Sequence, residues 1–387
     1  MKHEVFWKNP GYQVRPELKE DIECDYLIVG GGITGVSTAY FLSKLGATNI
    51  VLIEKKEIAS GATGKAAGSL VVRGESDLQD YIKIQGPKNG EEYWNQIQKA
   101  LKDIYNIIQE ESIDCDAEPQ DTLYVGYKDK GDINLVEEYE EEKKIDHRAR
   151  FVEGEELKKE LNTDYYHHGI VSAQHGLSVN PLKFTQNFSK VVEKYGVKIY
   201  ENTPYLGSED HIALTPQGKI KYKKMVIAID ADHADLRVQT QKTTIGITRP
   251  LIEEELMATG LNRRKIVWDS MADYHYFKVT KDKRILFGYG LIITEKMYRD
   301  TSPHPEHLDK IKKYLKQLFP YLENLELEYA WTGSFGVTAD YEPHFKFDGD
   351  TIEMAGAGTQ VVCFMAGEHI ANKLLDKTSP LEDYFPG

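Results

Sequence analysis

Cysteine is scarce. Cys24, Cys115 and Cys363 are the only three in 387 residues; they are widely spaced and form no C-x-x-C pair, which excludes a disulfide framework or a cysteine zinc site and fits a reducing cytoplasm. Long apolar runs are absent too. None approaches the roughly 20 residues that a membrane span needs, and the charges scattered through residues 1–25 leave no apolar core for a signal peptide. Positive charge is in deficit, with 48 lysines and arginines against 62 acids and a net charge of −14. Such a field repels phosphate polyanions, so nucleic acid and anionic membrane surfaces are not expected partners. The twelve histidines show no metal-ligand spacing, and no metal site is expected. What remains, 41% hydrophobic and 28% charged residues, is the composition of a soluble globular protein. At about 150 residues per domain the length suggests two or three domains.

A polar arm containing Trp7, Pro10 and Pro16 comes first and reads as an extended surface strap. Tyr26-Leu27-Ile28-Val29 then ends on glycines, Thr34 to Leu45 has helical spacing up to Gly46, and Ile50-Val51-Leu52-Ile53 closes on Glu54. This is a strand–helix–strand unit with a right-handed crossover. Glu91 to Ile108 places Trp94, Ile97, Leu101, Ile104 and Ile108 on one helix face, which is core packing. Glu137 to Lys144 pairs acids with lysines one turn on and reads as a solvated helix face. Tyr276-Phe277-Lys278-Val279 and Ile285-Leu286-Phe287-Gly288, joined by Lys281-Asp282-Lys283, read as an antiparallel hairpin. Near the end, a strand at Thr351 to Ala355, a turn at Gly356-Ala357-Gly358 and a helix over Val361 to Leu375 repeat the opening arrangement.

Gly30-Gly31-Gly32-Ile33-Thr34-Gly35 matches G-x-G-x-x-G in its confirming context, after a strand and opening a helix. Gly30 permits the sharp turn, Gly32 lets the backbone approach a pyrophosphate, and Gly35 lets helix and strand pack closely, while the helix start offers free N–H groups to the anion. Glu54 accepts hydrogen bonds from a ribose and repels a 2′-phosphate, which disfavours NADP. The bland alternative is a glycine-rich packing turn. After Glu54 and Lys55 comes Ile58-Ala59-Ser60-Gly61-Ala62-Thr63-Gly64-Lys65-Ala66-Ala67-Gly68-Ser69. A simple nicotinamide dehydrogenase has no need of this second loop; a flavin nucleotide, gripped over a longer reach, does. Read as a free linker the stretch is unremarkable.

On these motifs, and on Val226-Ile227-Ala228-Ile229-Asp230, Thr248-Arg249-Pro250-Leu251, Trp331-Thr332-Gly333 and Ala355-Gly356-Ala357-Gly358 in the same order, the chain resembles the D-amino-acid oxidase superfamily. These are FAD-dependent amine and amino-acid oxidoreductases, and within them the resemblance is to the gamma-glutamylputrescine oxidase-like branch. The resemblance implies an α/β fold: a Rossmann-like FAD-binding domain, discontinuous over residues 1–105, 165–235 and 330–387, and an α+β substrate domain over residues 106–164 and 236–329, built on a mixed or antiparallel sheet that roofs the flavin. It implies that Ser60, Gly61, Thr63, Lys65, Ala67, Gly68 and Ser69 contact the pyrophosphate and flavin ring. Ile33, Thr34, Lys55, Ala228, Gly356 and Gly358 join the expected cofactor set. Three departures stand out: Ile229-Asp230 after the middle strand, Ala357-Gly358-Thr359 where many relatives carry Gly-His-Gly, and Arg249 where close relatives carry an acid.

The resemblance further implies oxidation of a CH–NH bond by hydride transfer to flavin N5, giving an imine that hydrolyses, with oxygen or another compound as electron acceptor. Thr359, a natural N-cap, and Gln360 open a helix whose dipole suits the reduced flavin. Lys278 matches a cation above the flavin in relatives, although strand lysines usually point to solvent. Tyr276 and Tyr274 share its strand face. Arg249 is either a carboxylate clamp or a surface arginine. No cysteine matches a covalent attachment site, so FAD is expected to be noncovalent. The partners expected are a small amine or amino acid and, as an open question, a second copy of the chain. A nicotinamide-linked dehydrogenase and a flavoprotein subunit that has lost its catalysis are the alternatives.

Overall fold

Tyr26–Val29 and Ile50–Ile53 are apolar throughout, and strands of that kind need cover on both faces, as in a parallel sheet. The computed structural model describes residues 1–385 apart from 74–75, 128–134, 233–237, 271–273, 295–300 and 340–341. In it the two strands pair in parallel, with Val29 opposite Ile53. They lie at the centre of a six-stranded sheet ordered His344–Asp348, Thr351–Ala355, Lys224–Ile227, Tyr26–Val29, Ile50–Ile53 and Lys198–Tyr200. Every pairing in it is parallel except the terminal hairpin. The helices Ile33–Lys44, Pro87–Glu110, Pro181–Lys194 and Gln360–Leu374 supply one large core with it, including Trp94, Ile97, Leu101, Ile104 and Ile108. The first and last helices touch backbone to backbone: a Cβ on Gly367 would stand 2.5 Å from the Ser37 side chain.

A second sheet of nine strands runs Leu327–Val337, Gln239–Thr248, Ile285–Thr294, His275–Val279, Lys265–Asp269, Glu118–Gly126, His168–Ser178 and Ser69–Val71, with Arg150–Glu153 added on His168–Ser178. The expected hairpin is its centre, with Phe277 opposite Phe287 and Val279 opposite Ile285. Because alternate residues face opposite ways, Phe277, Val279 and Phe287 pack with Leu308, Ile311 and Leu315 of the helix Pro305–Leu318. Tyr276, Lys278, Leu286 and Trp331 take the other face, towards the second loop. A small four-stranded sheet over Ile22–Glu23, Ser208–Glu209, Ile212–Leu214 and Lys219–Lys221 completes the architecture. Among the described residues no helix is long and apolar enough to cross a membrane.

Sheet membership cuts the chain differently from the expected domain bounds. Ser69–Val71, His168–Ser178 and Leu327–Val337 belong to the nine-stranded sheet, although all or most of each falls in the segments assigned to nucleotide binding. The helix Leu135–Ile145 differs as well. Its lysines Lys143 and Lys144 are exposed, but Glu138 and Glu142 are buried. Glu138 accepts the backbone N–H groups of Leu78 (3.0 Å) and Gln79 (2.9 Å), the otherwise free amides at the start of the helix Leu78–Gln85, and the Ser172 hydroxyl donates to Glu142. A cap supplied from sixty positions away leaves no local trace, so acid–lysine spacing alone misreads that face.

The closest backbone approach in the first unit is at Gly35, where a Cβ would stand 2.0 Å from the Gly30 carbonyl oxygen. Gly35→Ala is expected to destabilise the protein by about 2 kcal/mol, measured as a lowered midpoint in chemical denaturation; an unchanged midpoint contradicts this packing.

Candidate cofactor and active site

Gly30 turns the chain with φ +113°, and a Cβ there would lie 2.2 Å from the Ala228 carbonyl oxygen. Gly32 is the N-cap position of Ile33–Lys44, so the helix start opens directly onto the glycine turn. Thr34 is buried, its carbonyl accepting the Thr38 hydroxyl. Glu54 accepts the Gly31 amide (2.7 Å) and the Lys56 amide (2.9 Å). Burial raises its pKa above the ordinary carboxylate value, with the two amides opposing. Lys55 is exposed beside it. Beneath lies a carboxylate that the sequence did not single out: Glu201, fully buried, accepts the Ile58 amide (2.6 Å), the Arg15 amide (2.5 Å) and the Tyr12 hydroxyl (2.5 Å).

The second loop leaves this support and crosses to the roof sheet. Thr63–Lys65 is one tight turn; Gly64 is required there because a Cβ would stand 2.2 Å from the Ala59 carbonyl oxygen. The Ile33 amide donates to Thr63 Oγ1 (3.2 Å), tying glycine turn and loop together. Ser60 is half-buried and Gly61 exposed. Beyond them four carbonyls of the loop meet a side-chain donor from a distant segment: Gln360 Nε2 to Thr63 (3.1 Å), Trp331 Nε1 to Lys65 (2.8 Å), Trp7 Nε1 to Ala66 (2.8 Å) and Lys278 Nζ to Gly68 (2.5 Å), whose carbonyl also accepts the Val179 amide (2.9 Å). Burial lowers the pKa of Lys65, with Lys56 and Lys55 adding to it. Ala67 packs against the roof cluster, and Ser69 pairs with Ser178 at the sheet edge.

Lys278 is fully buried in the roof, where Ser178 Oγ is its second acceptor at 2.9 Å. Burial pushes its pKa down to about 7. The Tyr276 ring occupies the space above Gly288, whose Cβ would fall 2.0 Å from the ring carbon Cζ; Tyr274 is next to it, ring centroids 5.7 Å apart. On the C-terminal side Gly356 and Gly358 have φ of +82° and +59°. Thr359 caps the last helix, its Oγ1 accepting the Val362 amide at 3.3 Å. Gln360 Oε1 is a buried acceptor with no partner. After the middle strand, Asp230 takes φ +58° and its Oδ1 accepts the Gly336 amide at 2.9 Å, so this departure binds the roof strand.

Arg249 is not brought to this place. Its guanidinium forms a two-point pair with Glu255 (2.5 and 2.7 Å) and donates to the Asn324 carbonyl at 2.9 Å, which satisfies its planar donor fork without a ligand. The reading as a carboxylate clamp is corrected accordingly. Trp7, Trp331 and Glu201 are the residues that the sequence analysis gave no role; the one hint was Trp7, an aromatic side chain in an otherwise polar arm.

The residues fit a dinucleotide. Side chains are missing where an anion would approach the helix start, Glu54 offers acceptor oxygens, and Gln360 leaves an acceptor open. A nicotinamide nucleotide needs no second grip beyond its ribose acid, so a chain that builds one beneath a roof sheet belongs among the flavoproteins. The family model for FAD dependent oxidoreductases, named DAO, matches residues 25–372. The chain is 27% identical over 390 residues to gamma-glutamylputrescine oxidoreductase of Escherichia coli K12, spanning 96% of this chain and 89% of that protein. Its fold is similar to L-proline dehydrogenase from P. horikoshii (TM-score 0.76, 21% identity, 96% of this chain and 98% of that one). It is likewise similar to glycine oxidase from Geobacillus kaustophilus (TM-score 0.77, 17% identity, 94% and 98%). The chain belongs to the DAO family of FAD-dependent oxidoreductases, and its cofactor is FAD.

Trp331→Phe keeps the buried ring but removes the donor to Lys65. It is expected to cost about 1 kcal/mol, or roughly a fivefold rise in the FAD dissociation constant, read by titrating apoprotein with FAD and following flavin fluorescence. An unchanged constant contradicts the role given to the loop.

Proposed function

We propose that this protein oxidises the CH–NH bond of a small amine or amino acid, with noncovalent FAD as the oxidant and oxygen as the electron acceptor, in the cytoplasm. The observation that carries the reading is the fully buried Lys278 on the roof face, bonded to the second loop and next to Tyr276. The relatives named for putrescine-derived and glycine substrates support the substrate class.

When bound, FAD supplies a two-electron acceptor for the substrate's hydride. Gly30, Gly32, Ile33, Thr34 and Gly35 hold the pyrophosphate on the first helix start, and Glu54, with Lys55 at its rim, binds the ribose. Ser60, Gly61, Thr63, Lys65, Ala67, Gly68 and Ser69 grip the remainder. Ala228, Gly356 and Gly358 shape the opposite wall. The helix start at Thr359 and Gln360 would offer N–H groups and a positive dipole end to negative charge on the bound cofactor. Tyr276, whose ring fills the space above Gly288, makes a wall that orients the substrate. No general base is needed, because an uncharged amine can donate hydride directly.

Lys278 serves the oxygen side. In its protonated form it stabilises the negative charge that forms on oxygen, and since its pKa lies at about 7 that help fades as pH rises through neutrality. Two measurements test the proposal. Anaerobic mixing with amines and amino acids is expected to bleach the flavin band with at least one of them, whereas a loaded protein that none bleaches contradicts the reading and favours a non-catalytic flavoprotein. Readmitting oxygen to the reduced protein is expected to restore the band at a rate that falls above pH 7. Lys278→Met is expected to slow that step roughly 100-fold and flatten its pH profile, with little change in anaerobic reduction.

A further inference from the structure

Among the described residues no carboxylate is a hydrogen-bond partner of Lys278. Its acceptors are the Gly68 carbonyl at 2.5 Å and Ser178 Oγ at 2.9 Å, whereas an ammonium carries three protons. Against the same group stands the Trp7 ring, its centroid 5.7 Å from Nζ. Trp7 is itself 6% exposed, which departs from the surface strap that the arm's composition suggests. The indole is fixed from several directions. Its Nε1 donates to the Ala66 carbonyl at 2.8 Å, and Phe6 and Trp331 meet it edge to face at 5.3 and 6.4 Å. The backbone on either side is tied down too. The Lys2 amide donates to the Glu328 carbonyl (2.7 Å) and the Lys2 carbonyl accepts the Ala330 amide (2.9 Å), while Asn180 Nδ2 donates to the Lys8 carbonyl (3.2 Å). The arm therefore closes over one side of the lysine, on the edge strand of the roof sheet.

We propose that Trp7 is a positioning residue for Lys278: its ring walls the amine off from water, and its bond to Ala66 holds the second loop at the distance where Gly68 can accept from that amine. The N-terminal arm thereby sets how readily the roof lysine takes up a proton. The inference rests on the acceptor-side reading of Lys278 given above, but its test does not use turnover.

Two effects of the indole oppose each other. A ring face near an ammonium favours the charged form, and exclusion of water disfavours it. Desolvation is the largest influence on Lys278, and the charge that counters it is Glu118, already ion-paired with Arg264. The loop presents a carbonyl and His168–Ser178 a hydroxyl; neither carries a charge. Water exclusion therefore wins, and opening the wall raises the lysine's proton affinity.

The experiment is trace acetylation of the full-length, FAD-loaded protein with acetic anhydride across pH 5 to 11, reading the Lys278 peptide by mass spectrometry against the exposed Lys102. In the unmodified protein Lys278 is expected to label roughly tenfold more slowly than Lys102, with a midpoint near neutrality. Trp7→Leu is expected to speed labelling of Lys278 roughly tenfold and raise its midpoint by about one unit or more. Trp7→Phe retains a smaller ring and should shift both in the same direction by less; it carries the test alone if Trp7→Leu does not fold. Slow labelling with a low midpoint that neither variant alters overturns the proposal. Fast labelling with an ordinary lysine midpoint in the unmodified protein overturns it as well, by removing the buried amine. Failure of Lys278→Met to slow reoxidation would instead strike the oxygen role and leave the labelling result standing.

Discussion

A stretch of backbone that belongs to neither helix nor sheet must find partners for its carbonyls elsewhere. Around the single tight turn Thr63–Lys65 and the link to Gly68, four carbonyls of this chain find side-chain partners in the arm, the hairpin, the outer roof strand and the last helix, through Trp7, Lys278, Trp331 and Gln360. That single requirement explains why the two sheets meet where they do. The six-stranded sheet delivers the loop from below, through Glu54 and the glycine turn, and the nine-stranded sheet receives its carbonyls from above. A cofactor laid along the loop is then held by the whole chain, while both termini of the sequence contribute to one site.

Burial of charge follows the same logic. Glu201 is fully enclosed, and the amides of Ile58 and Arg15 and the Tyr12 hydroxyl all donate to it, which is the condition for keeping a carboxylate inside. Glu138 accepts two helix-start amides, but burial and the nearby Asp77 outweigh them and push its pKa up to about 8. Lys278 has neutral acceptors only and its proton affinity drops to suit. Among the described residues Lys278 is a buried charge with no charged partner at hydrogen-bond distance, and it sits where the chemistry is expected, the pattern by which perturbed groups mark functional places.

Much of the site was legible because it is local. The glycine turn, the Glu54 that closes the next strand and the Thr359 cap are set by backbone needs of adjacent residues, and the small-residue composition of the second loop is written in the sequence even though its partners are distant. The hairpin around Lys281–Lys283 was readable from alternation, and alternation also placed Tyr276 and Lys278 on one face. What could not be read is what the tertiary fold supplies. Nothing near Trp7 in the sequence announces that its indole reaches Ala66, and nothing near Glu138 announces that it caps a helix that begins at Leu78. Arg249 invited a functional reading because an arginine replaced an acid, but Glu255, six residues on, claims it. Sheet membership of Ser69–Val71 was likewise invisible, since a three-residue edge strand carries too little pattern to assign.

The central claim is that the loop from Ala59 to Ser69, held by donors from the whole chain, is the grip on FAD. Hydrogen–deuterium exchange on the full-length protein with and without FAD tests it most directly. The account predicts that FAD slows exchange across residues 59–69 together with 30–35 and 359–363, and leaves the outer helix Pro305–Leu318 unchanged. Binding of FAD with no protection in residues 59–69 would contradict it.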